Sequence, residues 1–407
     1  MKKFTLIIFL LIIPTVQSFS QAPISSEDFK TLPSTQWKFK ANKPFVSSPV
    51  VDGTTVYAGN LDSNLYAVNL SDGKLKWKFK TRGIIRSTVC ISGNQLFLLS
   101  GDGNLYSLDK GSGKIVWTFK TGGDKPYDIF DYFQSSPVIS DRTIYFGCGD
   151  ANVYAVNMSD GTLLWKYQTG DVVHSVPAIS NGKLYIGSFD GYVYALDATN
   201  GSLIWKFKSV GQYYFPKGEM QFSPVVANGL VFIGGRDFNL YAIDMNKGYC
   251  HWNKYYPRGW APVITPSPKN DSIIYVGTSD PRILEAINGV TGESIWTAKI
   301  NSNIFGACAF TQSMCYVTSL AGKVYGVDLK TGIIEWTFAS DGSKRNHDLY
   351  FTPDDDWNDS VLKTFKRNED FLTALDKMGA IYSAPTIVKD LMLVNSSDGT
   401  IYCLKKE

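Results

Sequence analysis

Histidine and cysteine are scarce in this chain. Its 407 residues include three histidines and six cysteines. No two cysteines are adjacent, no pair has CxxC spacing, and no CxxCH sequence occurs. This excludes the usual sequence patterns of thiolate zinc sites, CxxC redox centres and covalent haem attachment. Cys308 and Cys315 flank one short turn and could meet, whereas the other four cysteines are expected to be small core residues.

A strong charge of either sign is also missing. The 40 Lys and Arg residues nearly balance the 37 Asp and Glu residues, which leaves a formal net charge of +3. Two of these charges, Lys2 and Lys3, lie in a segment that we expect to be removed, so the mature chain is close to neutral. No basic stretch of the sequence indicates a nucleic-acid partner.

The apolar run near the N-terminus, residues 4–13, is too short to span a bilayer. It follows two lysines and precedes Pro14 and small residues, which is typical of a secretory signal peptide. We expect residues 1–20 to be removed by cleavage before Gln21, and residues 21–35 to form a lead-in. This predicts a periplasmic or secreted protein that does not span the membrane after signal removal. An uncleaved membrane anchor is the alternative, and a lipid anchor is not expected because no Cys lies at the cleavage site.

What the sequence does contain is an eleven-residue pattern that recurs seven times. It begins with a small residue, has Gly six positions later and ends in Trp. The first copy is AVNLSDGKLKW and the fourth is ALDATNGSLIW. The copies are residues 67–77, 107–117, 155–165, 195–205, 242–252, 286–296 and 326–336. Because the Trp residues recur about every 40 positions, the sequence predicts a repeat architecture.

Each repeat contains four short β-branched and aromatic runs separated by turn residues. In the fourth repeat these runs are SVPAIS, KLYIGS, YVYALD and SLIWKF. Such runs predict strands joined by hairpins, and a ring of four-stranded antiparallel sheets is a β-propeller. First strands are predicted at 48–50, 88–90, 136–138, 176–178, 223–225, 261–263, 307–309 and 384–386. We therefore predict an all-β, eight-bladed β-propeller, with seven blades as the alternative if the divergent blade 6 or 7 does not form.

The last repeat ends without a Trp strand of its own. Trp37 lies in TQWKFK, which matches the WKFK sequence at Trp77. We therefore expect residues 36–407 to form one propeller domain in which the N-terminal strand completes the last blade and removes the open edge. Eight Trp residues are expected to dock between neighbouring blades: Trp37, Trp77, Trp117, Trp165, Trp205, Trp252, Trp296 and Trp336.

An Asp occupies the turn between the second and third strands in seven repeats. These residues are Asp62, Asp102, Asp150, Asp190, Asp237, Asp280 and Asp398. Asp tolerates left-handed turn geometry and hydrogen-bonds its own backbone, so we interpret the series as turn residues rather than as calcium ligands.

The repeat resembles the pyrroloquinoline-quinone (PQQ) enzyme repeat, whose pattern is roughly Ala-x-Asp-x-x-Thr-Gly-Lys-x-x-Trp. It reads AIDMNKGYCHW from Ala242 and GVDLKTGIIEW from Gly326. The resemblance covers nearly all of residues 36–404 and implies a propeller that serves either quinone-dependent dehydrogenases or non-enzymatic scaffolds. The chain looks similar to the short members without catalysis, such as the propeller subunit of the bacterial outer-membrane β-barrel assembly machinery. That subunit is a lipoprotein, whereas this chain has no lipobox Cys.

The same resemblance implies, as an alternative, a dehydrogenase that oxidises an alcohol or a sugar with PQQ and calcium. Such enzymes share a vicinal Cys-Cys disulfide and hold calcium with carboxylates and an Asn. This chain has no adjacent cysteines, and the expected first-strand positions carry no converging set of the six to eight oxygen ligands that calcium takes. We therefore expect no cofactor, no metal site and no enzymatic activity.

The residues ahead of each first strand should surround one mouth of the central channel. Alignment on the second-strand aromatics places Val46 and Phe305 there, and blade 6 cannot be aligned because of an insertion near Gly259. The polar members of the set are Arg86, Gln134, His174, Gln221 and Tyr382. This mixed set suits a small polar ligand, an anion or ordered water, and the alternative is that it only hydrates the channel.

Three long connections from a fourth strand to the next first strand should emerge on that same face. They are residues 121–134, 208–221 and 253–260, and they are rich in aromatics. We expect these aromatics to bind a partner, the alternative being that the loops pack on one another: Tyr127, Phe130, Tyr132, Phe133, Tyr213, Tyr214, Phe215, Tyr255, Tyr256 and Trp260.

The largest insertion, residues 340–380, lies between blades 7 and 8. Its second half predicts one helix that Asp359 or Ser360 caps and Gly379 ends. Its apolar face would consist of Val361, Leu362, Phe365, Leu372, Leu375 and Met378. Because such a face must be buried, we predict a lid across the channel mouth. The preceding Asp354–Asp356 are expected to be solvated and to favour the helix N-terminus, with calcium binding as the alternative.

These features favour a binding or scaffold protein that is monomeric and has a protein partner in the cell envelope. The first alternative is the PQQ- and calcium-dependent quinoprotein dehydrogenase. The second is a polysaccharide or small-ligand receptor, since exposed aromatics also stack on sugars.

Overall fold

A computed structural model describes residues 27–128, 131–257, 259–261, 263–300 and 302–407 of the protein. The predicted signal peptide lies outside the described residues. Within them the chain forms eight four-stranded antiparallel sheets, which are the blades of a β-propeller. The predicted fold class is therefore confirmed. No helix in the described residues is both long and apolar enough to cross a membrane.

The strands follow the repeat order along the chain. The first strand in the described residues is β1 (Ser34–Lys40). Blade 1 consists of β2 (Val50–Asp52), β3 (Thr55–Gly59), β4 (Asn64–Asn69) and β5 (Leu75–Lys80), and blade 2 of β6 (Cys90–Ser92), β7 (Gln95–Ser100), β8 (Asn104–Asp109) and β9 (Ile115–Lys120). Blade 3 consists of β10 (Val138–Ser140), β11 (Thr143–Gly147), β12 (Asn152–Asn157) and β13 (Leu163–Gln168), and blade 4 of β14 (Ala178–Ser180), β15 (Lys183–Gly187), β16 (Tyr192–Asp197) and β17 (Leu203–Lys208).

The second half of the ring repeats this pattern. Blade 5 consists of β18 (Val225–Ala227), β19 (Leu230–Gly234), β20 (Asn239–Asp244) and β21 (Cys250–Tyr255). Blade 6 consists of β22 (Val263–Pro266), β23 (Ile273–Gly277), β24 (Ile283–Asn288) and β25 (Ser294–Lys299). Blade 7 consists of β26 (Ala309–Phe310), β27 (Met314–Thr318), β28 (Lys323–Asp328) and β29 (Ile334–Ala339). Blade 8 consists of β30 (Thr386–Val388), β31 (Leu391–Ser396), β32 (Thr400–Lys405) and β1.

The N-terminal strand closes the ring as the sequence predicted. β1 pairs antiparallel with β32, and Trp37 lies opposite Cys403. The predicted first strands, in contrast, begin about two residues too early. In blade 1, for example, the strand starts at Val50 rather than at Ser48. Pro49 has no N–H for a strand ladder, and the N–H of Ser48 donates instead to Thr88 Oγ1 of the next blade.

The repeated Trp residues fasten each blade to a neighbouring segment. All eight indole N–H groups donate to a backbone carbonyl at 2.6–3.2 Å, and seven of the acceptors lie in the next blade: Leu70, Lys110, Met158, Ala198, Met245, Gly289 and Leu329. The eighth donor, Trp336, bonds to Phe29. The repeated Gly lies against the Trp of the preceding blade. At Gly73, where φ is 70°, a Cβ atom would lie 2.5 Å from the Trp37 ring.

The turn aspartates use both carboxylate oxygens. In blade 1 Asp62 Oδ1 accepts from the Asn64 N–H and Oδ2 accepts from the Tyr66 hydroxyl. The Tyr four positions after the Asp makes the same bond in five other blades, namely Tyr106, Tyr154, Tyr194, Tyr241 and Tyr402. Six of the seven turn aspartates thus also hold a strand tyrosine, whereas Leu284 stands four positions after Asp280.

The insertion between blades 7 and 8 contains three helices rather than one: α1 (Asp341–Tyr350), α2 (Asp359–Leu362) and α3 (Asn368–Met378). The predicted single helix is wrong because it breaks between Leu362 and Asn368, and its first cap is Asn358. Gly379 ends α3, as predicted, and the structure shows that it does so in the left-handed conformation. Leu375 and Met378 are buried, whereas Val361, Leu362 and Phe365 are only half-buried.

The prediction that the three successive aspartates are solvated is wrong for the middle one, Asp355. Asp355 is buried and accepts hydrogen bonds from Lys323 and His347, and the neighbouring Asp356 pairs with Arg282. Blade 7 has Ala321 at the turn-aspartate position, and Asp355 takes over the contact with the blade tyrosine, Tyr325. A carboxylate from the insertion therefore replaces the one that the repeat lacks.

The six cysteines all lie in described residues, and no disulfide joins any of them there. Cys308 and Cys315 are both buried in the same apolar cluster of blades 6 and 7.

Candidate functional site

The polar residues predicted around the channel mouth differ in the contacts that they make. Arg86, Gln134 and His174 are joined through the connection of residues 121–134, which we call the plug loop. Gln221 instead contacts Arg236, and Tyr382 lies in an aromatic cluster. The mouth therefore has a charged half and an aromatic half.

His174 is the centre of the charged half. Its side chain is fully buried, with Nδ1 2.8 Å from Asp131 Oδ2 and Nε2 2.9 Å from Asp124 Oδ1. Burial alone would lower the pKa of His174, but the hydrogen bonds and charges of the two aspartates outweigh burial and raise the pKa to about 9. His174 is therefore an imidazolium at neutral pH, held between two carboxylates of the plug loop.

Arg86 and Gln134 extend this network. Arg86 Nη1 donates to the Asp131 carbonyl oxygen at 2.8 Å, and Gln134 Nε2 donates to Asp124 Oδ2 at 2.8 Å. The Gly149 N–H also donates to Asp124. These bonds consume donors that a ligand in the channel would need, and they fix both ends of the plug loop.

The residue that organises the other side of the plug loop is Arg236, which sequence reasoning missed. It is fully buried. Its Nε donates to Gln221 Oε1 at 2.6 Å, and its Nη1 and Nη2 form a bidentate pair with Asp128 at 2.6 and 3.0 Å. The guanidinium also lies 4.9–5.8 Å from the ring centroids of Tyr127, Phe189, Phe215 and Trp260. Among the eight repeats, only the fifth has a charged residue, Arg236, at the position before that of the turn aspartate. This departure from the repeat is the signal that could have identified Arg236.

The aromatic half of the mouth is filled by the plug loop itself. Tyr132 packs on Phe305 and Tyr382, with ring centroids 5.6 and 5.9 Å apart. Phe133 packs on Phe305 and Phe222 at 5.9 and 6.4 Å. The α3 residues Phe371, Leu372 and Leu375 join the same cluster. The plug loop and α3 thus meet over the mouth.

The predicted partner-binding aromatics divide into two groups. Tyr127, Tyr132, Phe133, Phe215, Tyr256 and Trp260 pack against other loop or blade residues. Tyr213, Tyr214 and Tyr255 are 90, 75 and 57 % exposed. Phe130 lies outside the described residues. A shallow cleft of about 340 Å³ remains between Tyr132 and the segment that joins α2 to α3.

The residues at this mouth do not fit a calcium–quinone pair. The carboxylates of Asp124 and Asp131 are bound to His174, and that of Asp128 is bound to Arg236. Aromatic side chains from the plug loop and several blades pack on one another across the other half of the mouth. Among the described residues, no group of three or more His, Cys, Asp or Glu side chains could hold a metal ion.

Three solved structures illustrate which proteins this chain resembles in fold. BamB from Moraxella catarrhalis is 15 % identical with a TM-score of 0.65, and the match covers 92 % of this chain and 98 % of that one. The quinohemoprotein alcohol dehydrogenase ADHIIG from Pseudomonas putida HK5 is 13 % identical with a TM-score of 0.66, covering 92 % and 76 % of the two chains. The computationally designed Ika8 protein is 13 % identical with a TM-score of 0.67, covering 91 % and 99 %. At such identities these likenesses concern the fold alone.

The sequence itself carries a family assignment. No curated protein matches it. It does match the family described as outer membrane protein assembly factor BamB, over residues 33–172, 169–268 and 259–349. These segments together span well over half of the chain, so the chain belongs to the BamB-type family of PQQ-like propellers.

Proposed function

We propose that this chain is a binding or scaffold protein of the cell envelope, periplasmic or secreted, and that it recognises another protein through its loop face. The loop face comprises the plug loop, residues 208–221 and 253–260, and the insertion of residues 340–380. The observation that carries the proposal is the exposed pair Tyr213 and Tyr214 on a firmly anchored loop.

The anchor of that loop is Phe215. Its ring packs on Trp260 and Phe238 at 5.5 and 6.3 Å and lies 5.6 Å from the Arg236 guanidinium. Tyr255 continues the surface through its contact with Phe238. Tyrosines that are held in place lose little conformational entropy on binding and are frequent in the energetic centres of interfaces. This supports recognition of a protein by the outer surface of the loop face.

The filled mouth supports binding rather than catalysis. Tyr132, Phe133 and α3 occupy it, and the polar groups of Arg86, Gln134 and His174 bond to the plug loop. We infer that these groups position the loops that carry the recognition surface. The family membership supports an envelope partner, because the family description names a factor of outer membrane protein assembly.

The proposal is tested by site-specific photo-crosslinking in cells that make the protein naturally. A benzophenone amino acid replaces Tyr213 in one variant and Tyr249 in the control. Tyr249 is also half exposed, but it lies in the turn before β21, on the opposite face. We expect one discrete cross-linked complex from position 213 and none from 249, and Y213S/Y214S should abolish co-purification of the same partner. Equal cross-linking from both positions, or none from 213, contradicts the proposal.

The two alternative functions have separate tests. Calorimetric titration with PQQ, with and without calcium, followed by a dye-linked oxidation assay, addresses the dehydrogenase. Calcium-dependent micromolar binding of PQQ would overturn our proposal. Glycan arrays address the polysaccharide receptor, and saturable binding of one glycan that Y213S/Y214S removes would replace a protein partner with a sugar.

A further inference from the structure

The outermost strands of five consecutive blades form a surface with charge of one sign. Strands β1, β5, β9, β13 and β17 belong to blades 8, 1, 2, 3 and 4, and they contain nine lysines and no Asp or Glu. We call this surface the basic rim. All nine of its lysines are exposed: Lys38, Lys40, Lys76, Lys78, Lys80, Lys120, Lys166, Lys206 and Lys208.

The other side of the ring lacks this feature. The outermost strands of blades 5, 6 and 7 carry only Lys254, Lys299 and Glu335 as Lys, Arg, Asp or Glu residues. Lys254 is paired with Glu285. The formal net charge of the whole chain is only +3. The outermost strands of the propeller are therefore unevenly charged: their positive charge is concentrated on one half of the circumference.

Most of this charge is not neutralised by the protein. Lys38 pairs with Asp341 at 2.7 Å, and Lys40 lies 3.8 Å from Asp398. Within the residues that the structure describes, the other seven lysines form no ion pair. Lys76 bonds to hydroxyl and carbonyl oxygens of Thr54 and Thr55, which leaves its charge in place.

The basic rim also presents aliphatic side chains to solvent. They stand at the first positions of the outer strands and are 41–53 % exposed: Leu75, Ile115, Val116, Leu163, Leu164, Leu203 and Ile204. Lysine beside exposed aliphatic side chains is typical of surfaces that lie against anionic lipid. The rim is the outer wall of the ring, formed by the last strand of each blade.

We propose that the basic rim docks on an anionic phospholipid surface, with blade 1 and its lysines Lys76, Lys78 and Lys80 at the centre of the contact. Each lysine contributes a point charge that attracts lipid phosphates without demanding a fixed geometry, and the aliphatic side chains reach the boundary of the head groups. Because the rim lies on the circumference and the loop face lies at one end of the ring, docking leaves the loop face accessible. This inference does not depend on the proposed function.

The test is co-sedimentation of the mature chain with vesicles at low salt. One set of vesicles is pure phosphatidylcholine, and the other contains phosphatidylcholine and phosphatidylglycerol in equal amounts. We expect binding only to the second set, and a loss of about tenfold or more in affinity for K76E/K78E/K120E, because each lysine near an anionic surface adds to the attraction. The matched control is K247E/K299E/K330E, which makes the same change of charge at exposed lysines on the other side of the ring.

Two results would overturn the proposal. One is equal binding, or no binding, to the two kinds of vesicle. The other is a rim variant that keeps the unfolding midpoint of the natural protein and binds vesicles as well as the control variant does. In that case the lysines act only to keep exposed edge strands from pairing with other chains. Binding of a polyglutamate peptide without binding of anionic vesicles would replace the lipid with an acidic protein partner.

Discussion

The indole N–H of Trp336 donates a hydrogen bond to the backbone carbonyl oxygen of Phe29, 307 positions earlier in the chain, at 2.6 Å. The other seven docking tryptophans bond to the next blade. Phe29 lies ahead of β1, so the lead-in supplies the acceptor between blades 7 and 8. Its ring is fully buried and meets Tyr316 edge to face at 5.7 Å. The ring of eight blades is thus closed twice, by the pairing of β1 with β32 and by the docking of Phe29.

Replacing Phe29 by Ala should destabilise the whole propeller. Loss of a fully buried Phe side chain costs about 3–5 kcal/mol of unfolding free energy, because both burial and packing are lost. The matched control is L32A, since Leu32 lies three residues later and is 50 % exposed, and it should change stability by less than about 0.5 kcal/mol. Urea unfolding followed by circular dichroism measures both. Equal stability of the two variants would show that the lead-in does not close the ring.

Stability should decrease between about pH 6.5 and pH 9. The pKa of His174 is raised in the folded protein from 6.5 to about 9 by Asp124 and Asp131. A raised folded-state pKa contributes stability that is complete below the unfolded value and is lost as the pH rises through the folded value. The expected loss is about 3 kcal/mol of unfolding free energy.

H174Q should remove this decrease of stability with rising pH. The variant should also be less stable than the natural protein below pH 6.5, because two buried carboxylates lose their cation. H251Q is the control, since His251 is exposed on β21. Unfolding curves at a series of pH values give the slope. A slope that H174Q retains would contradict the assignment.

Arg236→Lys should loosen the plug loop. A lysine cannot form the bidentate pair with Asp128 and at the same time bond to Gln221, so we expect a loss of about 2–4 kcal/mol. Hydrogen exchange should accelerate within residues 121–134 and 208–221 and stay unchanged in the strands of blades 1 and 8. R142K, in the exposed turn before β11, is the control. Unchanged exchange in the plug loop would mean that its other contacts suffice.

Asp355→Asn should release the insertion from blade 7. Asn carries no charge to pair with Lys323, and a charge-assisted hydrogen bond of this kind contributes about 1–3 kcal/mol. Amide exchange in α1 and α3 should accelerate. The neighbouring D354N is the matched control because Asp354 is exposed. The same exchange pattern in both variants would indicate that Leu375 and Met378 alone hold the insertion.

The sequence pattern was sufficient wherever a feature repeats. The small residue, the Gly and the Trp recur at fixed spacing because each blade must meet the next at the same distance, and the count of eight blades follows. The turn aspartates were identified in the same way, and the position of Trp37 predicted the closure. The helix prediction failed in part because α1 has no apolar periodicity and because the second half of the insertion is interrupted at residues 363–367, of which only Phe365 is apolar.

The candidate site depended on contacts that no local pattern records. Asp128 and Arg236 are 108 positions apart, and Asp131 and His174 are 43 apart. The sequence identified His174 and the plug loop separately, but it could not show that each neutralises the other. Arg236 was overlooked because a single arginine in a turn is usually solvated.

The sequence by itself therefore determined the blade, the number of blades and the order in which they close, because these rest on local hydrogen bonding and on a packing rule repeated at one period. Only the tertiary structure decided that the plug loop fills the channel mouth, that Asp355 replaces a missing turn aspartate, and that lysines from five separate strands share one wall. These depend on which distant segments the closed ring brings within a few ångströms, and electrostatic and aromatic contacts act over that distance whatever the separation along the chain.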